Sequence, residues 1–299
     1  MWAKNGNLSN GTKTWQEALN YVASINSGSG LCGYKDWRLP SVNELESLVN
    51  AGEANTATWL NSQGFSNVQS DFYWSSTTGA NNTSYAWIVS MWYGYVFYSL
   101  NKSYDYYVWP VRSGQTNNPD HQYPANIWKT GQMTTYATGD DGDLGRGVAW
   151  PSPRFTDHGD GTVTDNLTGL MWAKNANLAG GTKTWQGALD YVKSMNSGPG
   201  LAGHRNWRLP NRKELFSLID RSRYDPALQA NYPLQNVQSD YYWLSTTSAY
   251  GTGGAWVISM RGGDVGYNNK SDDNYVWPVR SGQVPNIMIS PDKGTIGTE

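Results

Sequence analysis

Apolar residues at Trp15, Ala18, Leu19 and Val22 fall on one face of a helix, and Thr14 followed by Glu17 has the form of a capping box. The spacing predicts a helix of about three turns starting after Thr14. The same stripe recurs at Trp185, Ala188, Leu189 and Val192, but Gly187 stands where the box glutamate would be, so that helix is expected to start more weakly. After Pro40 and Pro210, Ser41 with Glu44 and Asn211 with Glu214 mark second helices, the first burying Leu45, Leu48 and Val49. The texture then changes. Residues 73–77, 86–91 and 107–112 are rich in β-branched and aromatic side chains separated by Gly, Asn and Ser, and 242–246, 255–260 and 275–280 repeat them, which predicts strands.

The chain therefore reads as one module written twice. Tyr107-Val108-Trp109-Pro110-Val111-Arg112-Ser113-Gly114-Gln115 returns letter for letter at residues 275–283. Each copy is expected to be an α+β unit of two helices followed by a small, mostly antiparallel sheet. The boundaries expected are 1–115 for the first module, 116–127 for a linker, 128–283 for the second module and 284–299 for the start of a further domain. Residues 154–166 turn on Gly159, Asp160 and Gly161 and predict a hairpin that the first copy lacks. Because Met1-Trp2-Ala3-Lys4 matches Met171-Trp172-Ala173-Lys174 in mid-motif, the first module is expected to be truncated at its N-terminus.

Between these constant parts the copies diverge. Trp92, Tyr93, Tyr95, Phe97, Tyr98, Tyr104 and Tyr106 make one face aromatic, whereas Arg261, Asp264, Tyr267, Asn268, Asn269, Asp272, Asp273 and Asn274 make the other polar. The exchanges Tyr95/Asp264, Ser99/Asn268, Tyr104/Asp272 and Tyr106/Asn274 change a surface on a kept frame. Duplicated active sites would keep their reacting groups, so this division points to ligand binding and away from catalysis. Aromatic residues are 14% of the chain, with Trp 16 and Tyr 20. They suit sheet cores and binding surfaces alike.

Net charge is -2 and no Lys/Arg cluster is present, which argues against nucleic acid. No apolar run approaches the roughly 20 residues of a membrane-spanning helix. Cys32 is the only cysteine and faces Ala202 in the other copy, so it is expected to be a small buried residue. His121, His158 and His204 fall in linker, hairpin and loop, and no triad or zinc site is assembled from them. Arg38 and Arg208, each between Trp and Leu, are expected to tie loops together. Asp140, Asp141 and Asp143 on a Gly-rich stretch form the candidate metal site, with calcium the cation they would suit and a solvated turn the competing reading. No other cofactor is expected.

Phe155-Thr156-Asp157, Gly159-Asp160-Gly161-Thr162-Val163-Thr164-Asp165, Gly169-Leu170-Met171-Trp172, Trp207-Arg208-Leu209-Pro210 and Trp277-Pro278-Val279-Arg280 together resemble the family typified by the C-terminal domain of the Legionella collagen-like adhesin. The resemblance implies a C-type-lectin-like fold, a location outside the cell or on its surface, and a glycan or a host or neighbour surface protein as partner. It also implies sulfated polysaccharides bound by basic residues, a cluster this chain does not have. Formylglycine-generating enzymes share a similar fold but use cysteine chemistry, which a single cysteine does not support. A variable patch before a constant strand resembles the targets of diversity-generating retroelements, and residues 289–299 resemble the opening of an IPT/TIG domain. The competing non-binding reading is a spacer in a stalk or filament.

Overall fold

The computed structural model describes residues 1–113 and 127–282, apart from the side chains of residues 98–100. The chain divides into two units, Met1–Ala149 and Trp150–Glu299. Both are α+β.

In unit 1, helix α1 (Trp15–Ile25) buries Trp15, Ala18, Leu19 and Val22, and the Glu17 carboxylate accepts from both the N–H and the hydroxyl of Thr14. Helix α2 (Val42–Ser47) starts on the Ser41/Glu44 box, and α3 (Thr56–Ser62) is capped by Asn55. The third helix was not expected, because its short sequence has no apolar stripe longer than one turn. Strands β1 (Phe72–Thr78), β2 (Tyr85–Ser90) and β3 (Val96–Asn101) form an antiparallel meander. A short helix, α4 (Asp141–Leu144), lies beyond them. It belongs to a strap, residues 127–149, that packs within unit 1 although the sequence suggested it opened the second module.

Unit 2 adds the expected hairpin, β4 (Phe155–Asp157) and β5 (Thr162–Asp165), before β6 (Leu170–Ala173). Helices α5 (Trp185–Met195) and α6 (Arg212–Phe216) follow, α5 without a capping box, as Gly187 implied. Strands β7 (Tyr241–Thr247), β8 (Gly254–Ser259) and β9 (Val265–Asn269) repeat the meander, and β10 (Val279–Ser281) pairs with β6. Val163 on β5 pairs with Trp172 on β6, and both side chains are fully buried.

Tryptophan accounts for much of the shared frame. Among the described residues of each unit, three indole N–H groups donate to carbonyls distant in sequence and a fourth to one six residues back: Trp15 to Ser75, Trp74 to Lys13 and Trp109 to Ala3, with Trp37 to Leu31, at 2.7 to 3.2 Å. Trp185, Trp243, Trp277 and Trp207 repeat the set onto Leu244, Lys183, Ala173 and Leu201. All but Trp185, which is half-buried, sink a large apolar body into the core while the one polar atom is satisfied, which pins helix, sheet and terminal segments together.

Three expectations need correction. Residues 107–112 are not a regular strand but bridge singly, through Tyr107 to Tyr73 and through Val111 to Trp2 and Arg38. Pro110 has no N–H to continue a ladder. The divergent stretch, in contrast, does form strands, β3 and β9. Cys32 is exposed, not buried. It holds a left-handed φ of 54° in a tight turn closed by Leu31 and Tyr34, as Ala202 does at 52°.

The lengths of the two third strands differ by one residue. Opposite β2 the register passes from Ile88↔Phe97 to Ala86↔Leu100, so β3 bulges across from Trp87. Strand β9 runs unbroken, with Ala255↔Asn268 and Trp256↔Tyr267. Asn268 therefore occupies the place of Leu100, one step from the Ser99 with which the sequence aligned it.

Candidate functional site

The turn after β2 and the strand β3 bring the aromatic positions of unit 1 into a single ladder. Trp92, 43% exposed, stacks on Tyr93 with ring centres 4.9 Å apart and planes 5° from parallel. Tyr93 meets Tyr95 at 5.4 Å, Tyr95 meets Phe97 at 5.2 Å, and Phe97 meets Phe72 of β1 at 6.4 Å. Phe72 then contacts Tyr106 at 5.6 Å, and Tyr106 stands edge-on to the buried Trp74 at 4.9 Å. The rings thus lead from solvent into the core, and burial raises the pKa of the Tyr106 hydroxyl. Tyr104, in the turn after β3, is 53% exposed. The side chain of Tyr98 lies outside the described residues.

Phe72 was missed in the sequence although a signal existed: it precedes the inward-facing Tyr73, so strand alternation turns it outward. The ladder ends beside a shallow polar groove of about 730 Å³ whose walls include Lys13, Glu17, Asn20, Tyr21 and Asp105. Lys13 and Tyr106 exchange main-chain hydrogen bonds of 2.9 and 3.0 Å, which fixes the groove against the last ring.

The equivalent region of unit 2 is polar. Arg261, Asn269, Asp272 and Asp273 are exposed, and Asp264, Tyr267 and Asn268 are half-buried. Asn274 is a correction: it is buried, and its side-chain oxygen accepts from Asn268 Nδ2 at 3.0 Å, so it supports the surface from below. The Asp272 carboxylate accepts the Asn269 N–H and closes the turn. Two further rings join this face: Tyr250, which lies 6.5 Å from Tyr267, and Tyr241, 39% exposed, the counterpart of Phe72. Burial, with Asp264 and Asp240 nearby, raises the pKa of the Tyr241 hydroxyl.

The remaining candidates have structural partners. Arg38 donates to both carboxylate oxygens of Glu44 at 2.7 and 2.5 Å, and Arg208 grips Glu214 in the same way. The aspartates of the expected cation loop face different partners. Asp140 caps α4 and accepts the N–H groups of Tyr136, Ala137 and Asp143, while Asp143 accepts from Gly139. Asp141 is buried under the hydroxyls of Thr77 and Thr130 at 2.8 and 2.7 Å, and burial pushes its pKa up to about 6 although those hydroxyls pull the other way. Among the described residues no group of three or more His, Cys, Asp or Glu is placed to hold a metal ion. His158 bonds Thr164 within the hairpin, His204 closes a turn with Leu201, and His121 lies outside the described residues.

Two α+β units that share a tryptophan-pinned frame and differ on one face define a tandem-module protein. The chain belongs to the Lcl C-terminal domain family, whose model matches residues 1–112 and 161–280. That family is adhesin-like, and no described helix is long and apolar enough to cross a membrane. No curated protein matches the sequence.

Proposed function

We propose that this chain is a non-catalytic, adhesin-like ligand binder that works outside the cell and engages glycans through the β3 side of unit 1 and the β9 side of unit 2. The observation that carries the reading is the ring ladder from Trp92 to Tyr106. Aromatic faces stack on the apolar faces of sugars, and the adjoining groove offers carboxylates and an amide to hydroxyl groups. The proposed fold kinship is C-type-lectin-like, supported by short helices against an antiparallel meander and by first and last segments that pair, Trp2 with Val111 and β6 with β10. The aromatic and polar faces would select different ligands.

A glycan array probed with the whole chain tests this. Saturable binding that falls about tenfold or more in Trp92→Ala, with an unchanged melting temperature, is expected for a ring that stacks on its ligand. Binding to a surface protein and to no glycan would keep the site and change the ligand class. Absence of any ligand would leave the spacer reading.

A further inference from the structure

The groove at the end of the ring ladder is lined mostly by residues that the two copies share. Lys13, Thr14, Tyr21 and Asp105 stand around it in unit 1, and Lys183, Thr184, Tyr191 and Asp273 hold the matching positions in unit 2. The frame that sets them is the same as well. Lys183 and Asn274 exchange main-chain hydrogen bonds of 2.9 and 3.0 Å, as Lys13 and Tyr106 do. Trp243 Nε1 donates to the Lys183 carbonyl as Trp74 Nε1 does to that of Lys13. The Lys13 ammonium lies 5.2 Å from the centre of the Tyr21 ring, and that of Lys183 lies 5.4 Å from the centre of Tyr191.

Two details go beyond a shared frame. Tyr104 and Tyr106 are exchanged for Asp272 and Asn274, yet the exposed residue between them is aspartate in both copies. The turn does not depend on it: Asn101 Oδ1 accepts the Ser103 N–H in unit 1, and Asp272 accepts that of Asn269 in unit 2. The second detail is a carboxylate that changes place. Unit 1 has Glu17 and Asn20 on α1, unit 2 has Gly187 and Asp190 on α5, and these positions, three residues apart, share a helix face. Each copy thus keeps one helix carboxylate, one turn carboxylate, one ammonium and one phenol.

That set selects by charge. Two carboxylates repel an anionic sugar, and the ammonium opposes a cationic one. A neutral sugar suits both, because each hydroxyl can donate to a carboxylate and accept from an ammonium, while the tyrosine ring offers an apolar side. We propose that these residues form an anchor site for an uncharged pyranose, common to both units, and that the β3 and β9 faces read what is attached to that sugar. The inference rests on the glycan-binding reading above and narrows it: sulfated and uronic sugars are excluded from the anchor.

The test is amide NMR of the isotope-labelled full chain titrated with the methyl glycosides of glucose, galactose and mannose, with glucuronic acid and a sulfated galactose as contrasts. Saturable shifts are expected for a neutral glycoside in roughly the millimolar range, the scale that about a dozen ligand atoms can supply. They should fall at Lys13 and Asp105 and at Lys183 and Asp273 together. Asp105→Asn should weaken binding about tenfold in unit 1 and leave unit 2 unchanged, and Asp273→Asn should do the reverse, so each unit is the control for the other. The map of shifts in the unsubstituted chain stands even if a variant misfolds. No saturable shift with any neutral glycoside, shifts confined to one unit or away from these amides, tighter binding of glucuronate or the sulfated sugar, or unchanged affinity in the Asn variants would overturn the anchor. Array glycans that move the amides of Tyr95 and Phe97 while no neutral glycoside moves those of the groove would keep the ladder and remove the anchor. Neutral glycosides at the groove with no array glycan on the ladder would do the opposite.

Discussion

Asp165 gathers four donors: Arg154 Nε and Nη2 at 3.3 and 3.4 Å, the Leu167 N–H at 3.0 Å and the Thr168 hydroxyl at 3.1 Å. Both charged side chains are essentially solvent-free. Removing one partner strands the other charge in the interior, so Asp165→Ala is expected to destabilise the hairpin side of unit 2 by about 3–5 kcal/mol in a urea titration. Asp141 has the opposite electrostatics. Its folded pKa, about 6, lies above the ordinary 3.8, so the fold favours the protonated acid. The stability it lends is complete below about pH 4 and is lost as pH rises through about 6, with roughly 3 kcal/mol at stake. Exchange of the Thr78 amide, corrected for its intrinsic rate, is expected to quicken over that interval and to lose the dependence in Asp141→Asn. Neither aspartate was marked for its part by the sequence. Asp140, Asp141 and Asp143 resemble a cation loop in one dimension, and only the fold shows them capping a helix and latching a strap.

Helices α1 and α5 are the same element with and without a side chain at the third position. Glu17 shows that the backbone there has room for a Cβ beyond the cap residue, although a Cβ on Gly187 would meet Thr184 Oγ1 at 3.2 Å. Gly187→Ala is therefore expected to stabilise unit 2 by about 0.5–1 kcal/mol through helix propensity, visible as a raised melting temperature. Elements with a strong local signature were readable before the structure: both long helices, the boxed starts at Ser41 and Asn211, and the hairpin on Gly159 and Gly161. What could not be read depends on contacts distant in sequence. The 107–112 segment has strand composition but bridges singly around Pro110, whereas β3 became a strand because β2 offered it an edge. The strap was assigned to the wrong neighbour because its partners, Asn43, Thr77 and Thr78, lie far upstream.

At the level of the molecule, one frame carries two faces, and the frame's tryptophan bonds run to main-chain carbonyls, which every residue supplies. Replacing residues 92–101 by residues 261–269 is expected to give a unit 1 that stays folded, within a few degrees of its original melting temperature, and loses the exposed part of the ring ladder. Circular dichroism and a glycan array on the chimera would check both outcomes. That exchange changes length as well as composition, by one residue. The bulge opposite Trp87 shows how such a change is absorbed: the surplus residue is taken up between Phe97 and Leu100, and Lys102 and Lys270 still reach the same threonine hydroxyls beyond it. A single-residue insertion in a strand ordinarily reverses which side chains face outward. Here the reversal is confined to a few positions, so this segment can gain or lose a codon without a frame-wide penalty, and variation open to it includes small insertions and deletions as well as substitutions.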